Sequence, residues 1–156
     1  MKEPLAYFLT WTTYGTWLPG DAKGWVRHGD DTRYTLYRSP DPKIETHAKA
    51  LMKQKPVILD KQLRGIVERT IRESCQYKNW HIHALNVRTN HIHLVITSRD
   101  ETPEQVMTTL KGWASRKLNQ RISKTNNRRW WTRHGSTRYI NSESSLLQTI
   151  EYVHNQ

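Results

Sequence analysis

The stretch Trp80 to Thr97, WHIHALNVRTNHIHLVIT, constrains this chain more than any other. It is dense in apolar, β-branched and aromatic residues, and its only good turn chemistry lies at Arg88-Thr89-Asn90. That pattern predicts two antiparallel strands joined by a short turn. Each strand opens with His-x-His, His81 and His83 on the first, His91 and His93 on the second. Residues i and i+2 of a strand project to one face, so each pair sets two imidazoles side by side, half of a divalent-metal site. Periodicity does not choose between the pairs, because a register slip of one residue exchanges the faces. A His-x-His alone is more often packing than ligation, so the chemistry requires partners elsewhere in the chain.

Composition narrows the class of partner. The 156 residues hold 25 Lys and Arg against 14 Asp and Glu, a formal charge of +11. One domain spanning 1–156 is expected at this length, and an excess of cations on that scale points to a polyanion, nucleic acid before membrane. Nothing in the N-terminal stretch resembles a signal peptide or a transmembrane run, so neither is expected. The single cysteine, Cys75, excludes an internal disulfide and reads as a core residue, so a cytoplasmic, nucleoid-associated protein is expected. Seven Trp and seven Tyr against one Phe supply rings with polar handles, suited to base stacking or to the rim of a core.

In chain order, Tyr7 to Tyr14 alternates as a first strand. A long insertion over residues 15–56 follows, turn-rich and weakly periodic, with a short helix near His47 to Met52 and cations at Lys23, Arg27, Arg33 and Arg38. Leu59 to Gln76 is a helix with an apolar stripe through Leu63, Val67, Ile71 and Cys75. After the hairpin, Thr102-Pro103-Glu104-Gln105 announces a second long helix: an N-cap, Pro at the first turn, and Gln three after the cap. The basic, aromatic run NNRRWWTRHGSTRY spans Asn126 to Tyr139, with a short strand at Ser136 to Ile140, and Ser142 caps a last helix. Strand, helix, strand, strand, helix, strand predicts an α+β fold: a ferredoxin-like split βαβ antiparallel sheet with helices on one face and an additional C-terminal helix.

That last helix buries Leu146, Ile150 and Val153 and holds Tyr152 and Gln156 away from the stripe, one turn apart. Asn90-His91-Ile92-His93-Leu94-Val95, set in the second strand of a hairpin, resembles the His-hydrophobe-His signature of the HUH endonucleases. Tyr152-Val153-His154-Asn155-Gln156 resembles the catalytic helix of their single-tyrosine transposases, the insertion-sequence TnpA type and the REP-associated tyrosine transposases. Trp130-Trp131-Thr132-Arg133-His134-Gly135 is similar to the segment preceding that helix in the family. The resemblance covers the first strand and residues 59–156, while the 15–56 insertion is longer than in the compact members.

The resemblance implies a metal-dependent endonuclease and strand transferase acting on single-stranded DNA beside a hairpin. His91, His93 and Gln156 are the implied ligands of Mg2+ or Mn2+, which would act as a Lewis acid on the scissile phosphate. Tyr152 is the implied nucleophile, leaving a 5′-phosphotyrosyl link and a free 3′-hydroxyl. His81 and His83 have no counterpart in the family and are read as structural or as lining the DNA face. Arg128, Arg129, Trp131, Arg133, His134 and Arg138 are expected to contact DNA, the arginines on phosphates and Trp130 or Trp131 on bases. Whether the tyrosine serves its own chain or a partner in a homodimer is open. Two alternatives stand beside this reading: a non-catalytic hairpin DNA or RNA-binding protein, and a metal-independent ribonuclease with a histidine base.

Overall fold

The computed structural model describes residues 3–25, 38–122 and 128–156. Arg27 and Arg33 of the insertion and Asn126 of the basic run lie outside the described residues. Among the described residues eight elements follow one another as β1 (Ala6–Thr12), α1 (Pro42–Ala50), α2 (Lys61–Lys78), β2 (His81–Val87), β3 (His91–Thr97), α3 (Pro103–Ile122), β4 (Ser136–Ile140) and α4 (Glu143–His154).

Local chemistry accounts for the boundaries. Asp60, in extended conformation, caps α2 by accepting from the Leu63 amide, so the helix starts two residues after Leu59, which lies outside it and is fully buried. Asn79, with φ of 57°, ends it in the left-handed conformation. At α3 the capping box closes in both directions: the Gln105 amide donates to Thr102 Oγ1 at 3.2 Å, and the Thr102 amide donates to Gln105 Oε1 at 2.9 Å. In the insertion, the helix begins earlier than its apolar content suggests, because Asp41 caps it and Pro42 occupies the first helical position. Asp41-Pro42 was the readable signal there.

The sheet is antiparallel with order β2-β3-β1-β4, the split βαβ arrangement. Period-two alternation divides the β1 side chains between two faces. Leu9 and Trp11, with Ile92, Leu94 and Ile96 of β3, pack against α2 and α3 in the main core. Ala6 and Val95, with Ala84 of β2 and Ile140 of β4, form a smaller core on the opposite face, covered by Val153, Leu146 and Ile150 of α4. The central strand β3 is therefore buried on both sides, and α4 lies alone on the second face. Burial of a side chain the size of Val153 contributes roughly 1.5–3 kcal/mol to docking α4 there. No described helix is long and apolar enough to cross a membrane.

Candidate functional site

The β2–β3 register decides what the hairpin's sequence left open. Asn86 pairs with His93 and Val87 with Ile92, while the Arg88 amide donates to the His91 carbonyl to close the turn. A bulge between Ile82 and Ala84 keeps the rest of β2 in phase. His91 and His93 thus fall on the α4 face. Their rings stand 4.7 Å apart, centroid to centroid, at 74°.

Each imidazole is held by a neighbour. The Nδ1 of His91 lies 2.7 Å from Asn90 Oδ1. An amide oxygen only accepts, so His91 donates there and its Nε2 keeps a free lone pair. His93 Nδ1 lies 2.9 Å from the Thr10 hydroxyl, across the β1–β3 pairing. His93 is nearly enclosed, and burial pushes its pKa down to about 4, with His91 and Arg88 adding repulsion. His91 is lowered too, first by burial and then by the charges of Arg88 and Lys23, which brings an insertion residue into the field of the site. Both rings are neutral at physiological pH, the form that ligates metal.

Tyr152 comes to this pair from the other end of the chain. It sits at the flank of the buried stripe of α4, half exposed, with its ring 5.8 Å from His93 and 6.1 Å from Phe8. Phe8 in turn lies 5.6 Å from His93, so three rings share one corner of the sheet. Asn86 ties the helix end down: its side-chain amide donates to the Val153 carbonyl at 3.0 Å and to the Gln156 carbonyl at 3.2 Å. Gln156 lies beyond the last helical residue and is held by its main chain. Two imidazoles with free nitrogens, at this spacing, suit a divalent ion of intermediate softness. Among the described residues no group of three or more His, Cys, Asp or Glu is placed to hold a metal ion.

The remaining expected site residues divide. Arg138 pairs with Phe8 in register and so projects from the histidine face, where it is exposed. Arg128, Arg129, Arg133 and His134 are exposed, and the Arg128 guanidinium lies 4.6 Å from the Trp130 ring centroid. Trp130 is a core anchor, 2% exposed, donating to Asn119 Oδ1, which removes it from base stacking. Trp131 is half-buried, edge-on to Trp11, with its indole N–H on the Lys111 carbonyl. Lys111 returns the tie: its ammonium donates to the carbonyls of Thr132 and His134, and burial lowers its pKa to about 8.

His81 and His83 occupy the same face at the far end of β2, where His83 Nε2 meets Thr97 Oγ1 at 2.7 Å. That is roughly 20 Å along β3 from His91. Sequence reasoning missed Asn86, Asn90 and Thr10, whose roles exist only across strands or beside the turn. Asn90, directly before His91, was the one with a visible signal.

With this geometry in view, comparison with known proteins is informative. Residues 42–156 match the family described as IS200-like transposases, and the chain belongs to that family. Its fold is similar to that of a candidate transposase from Deinococcus radiodurans R1, with a TM-score of 0.54 and 16% identity over 100% of this chain and 93% of that one. It is also similar to a REP-associated tyrosine transposase bound to a REP hairpin, with a TM-score of 0.55 and 9% identity over 99% of this chain and 68% of that one. No curated protein matches the sequence. The sequence resemblance to single-tyrosine transposases and the expected α+β split sheet therefore both hold.

Proposed function

We propose that residues 1–156 act as one transposase-like domain, a DNA-cleaving and strand-joining enzyme that works through a tyrosine–DNA intermediate. The approach of Tyr152 to His93 within one chain carries this reading. Sequence separates the two by 59 positions, and neither a binding module nor a ribonuclease needs them together.

In the proposed reaction the Tyr152 hydroxyl oxygen attacks the scissile phosphorus. The bond to the 3′-oxygen breaks, that oxygen leaves as a hydroxyl after taking a proton, and the 5′ side remains as a phosphotyrosyl ester. The bond count is unchanged, so a second 3′-hydroxyl reverses the step onto new DNA without ATP. His91 and His93 would hold Mg2+ or Mn2+ through Nε2, with the Gln156 amide completing the protein's share. That ion supplies Lewis-acid polarisation of the phosphate. Asn90 and Thr10 keep the imidazoles oriented, and Asn86 keeps the tyrosine helix over them. Phe8 and Arg138 share the face on which the strand would lie.

The substrate in this reading is single-stranded DNA beside a hairpin, in line with the hairpin bound by the REP-associated neighbour. A fluorescent strand containing a hairpin, incubated with Mn2+, is expected to give a denaturation-resistant protein–DNA adduct. The adduct should vanish in EDTA and in Tyr152→Phe. Salt-sensitive binding with no adduct on any such strand would instead make the protein a non-catalytic hairpin binder.

A further inference from the structure

The second histidine pair has no part in the proposed reaction, yet it is built almost as the first one is. His81 and His83 stand with ring centroids 4.5 Å apart at 80°, against 4.7 Å and 74° for His91 and His93. In each pair the more buried ring is held by a threonine hydroxyl of the adjacent strand, Thr10 for His93 and Thr97 for His83. The pairs lie at opposite ends of the α4 face, roughly 20 Å apart along β3, too far to share one ion.

The bulge in β2 puts His81 and His83 on that face. Ala84 lies in the core beneath α4 and Asn86 reaches the α4 main chain, whereas Ile82 and Leu85 pack with the α2–α3 core. The register shift between Ile82 and Ala84 makes His83 the extra residue. A regular strand with Ala84 and Asn86 turned to α4 would send His81 and His83 into the α2–α3 core. With the bulge, both imidazoles stay on the outer side, His81 exposed and His83 half-buried.

Hydrogen-bond accounting then fixes the tautomer of His83. Thr97 Oγ1 gives its one proton to the Leu5 carbonyl at 2.6 Å, so at 2.7 Å it accepts from His83 Nε2. Nε2 therefore carries the ring hydrogen, and Nδ1 keeps its lone pair. Burial, and after it the neighbouring His81, lowers the His83 pKa, so the ring is neutral at physiological pH. We propose that His81 and His83, the latter through Nδ1, chelate a transition-metal dication of the Zn2+, Ni2+ or Cu2+ class at a site separate from His91 and His93. Among the described residues no third His, Cys, Asp or Glu is placed to join them. Two imidazoles without a carboxylate favour these metals over Mg2+, and water fills the remaining positions. The inference is independent of the proposed function, since it concerns residues that the tyrosine chemistry does not use.

The test is calorimetric titration of the full chain with Zn2+ in a His91→Ala background, which removes one ligand of the other pair. One equivalent is expected to remain bound. Adding His81→Ala should weaken it by about 100-fold, because a single imidazole loses the advantage of chelation. His81 is exposed, so that substitution leaves the fold intact. In the unsubstituted chain, substoichiometric Ni2+ should broaden the NMR signals of His81, His83 and Thr97, and the imidazole nitrogen shifts should place the His83 proton on Nε2. Zn2+ binding indifferent to His81→Ala would overturn the assignment. Ni2+ broadening confined to His91 and His93, or a His83 proton on Nδ1, would do the same.

Discussion

Asn90 shows how much one uncharged residue decides at this site. By accepting from His91 Nδ1 it leaves Nε2 as the bare nitrogen of that ring, so Asn90→Ala should weaken Mn2+ binding by roughly 10-fold, read by calorimetry, without changing DNA affinity in EDTA. His93 permits a prediction with a definite sign. Its pKa is near 6.5 in the unfolded chain and about 4 in the fold, where burial disfavours the cation. Below pH 6.5 the unfolded state takes a proton that the folded state refuses. The contribution of His93 is therefore complete above pH 6.5 and is lost as pH falls towards 4, a change of roughly 3 kcal/mol. Thermal melts across that window should show the loss in the parent protein and a flatter profile in His93→Gln. Equal slopes in the two would contradict the assignment.

At the scale of elements, α4 is what converts a histidine strand into a candidate catalytic centre. It docks through Val153, Leu146 and Ile150 and is latched by Asn86, all within one chain. That latch predicts a cis site. Mixing Tyr152→Phe with His91→Ala/His93→Ala should leave adduct formation absent, since neither chain holds a complete site. Recovery of adduct on mixing would show instead that α4 serves a neighbouring chain. The loop from Trp131 to Gly135 depends on another element in the same way, being fastened to α3 by Lys111 and to β1 through the Thr12–Thr132 bond.

Taken together, the described residues form one four-stranded sheet with two differently used faces. The α2–α3 face carries the bulk of the core, whereas the α4 face carries a smaller core beside the imidazoles. Gly135 sits where the loop crosses from one use to the other. A Cβ there would come within 2.6 Å of the Thr10 carbonyl and 2.8 Å of Met107 Sδ. Gly135→Ala should accordingly cost roughly 1–3 kcal/mol, seen in denaturant unfolding, and disturb Thr10 beneath His93.

The order of elements, the capped helices, the hairpin and its two His-x-His pairs were all legible along the chain, because propensity, caps and period-two alternation act between residues a few positions apart. Leu59 and Trp130 were less so: one lies just outside its helix and the other is an anchor in a run that otherwise reads as surface. Tertiary structure alone decided the face to which His91 and His93 turn, the meeting of Tyr152 with His93, and the hold of Asn86 on the helix end. Those depend on strand register and on which side of the sheet a helix buries its stripe. Both are settled by packing between distant segments, which no local pattern encodes.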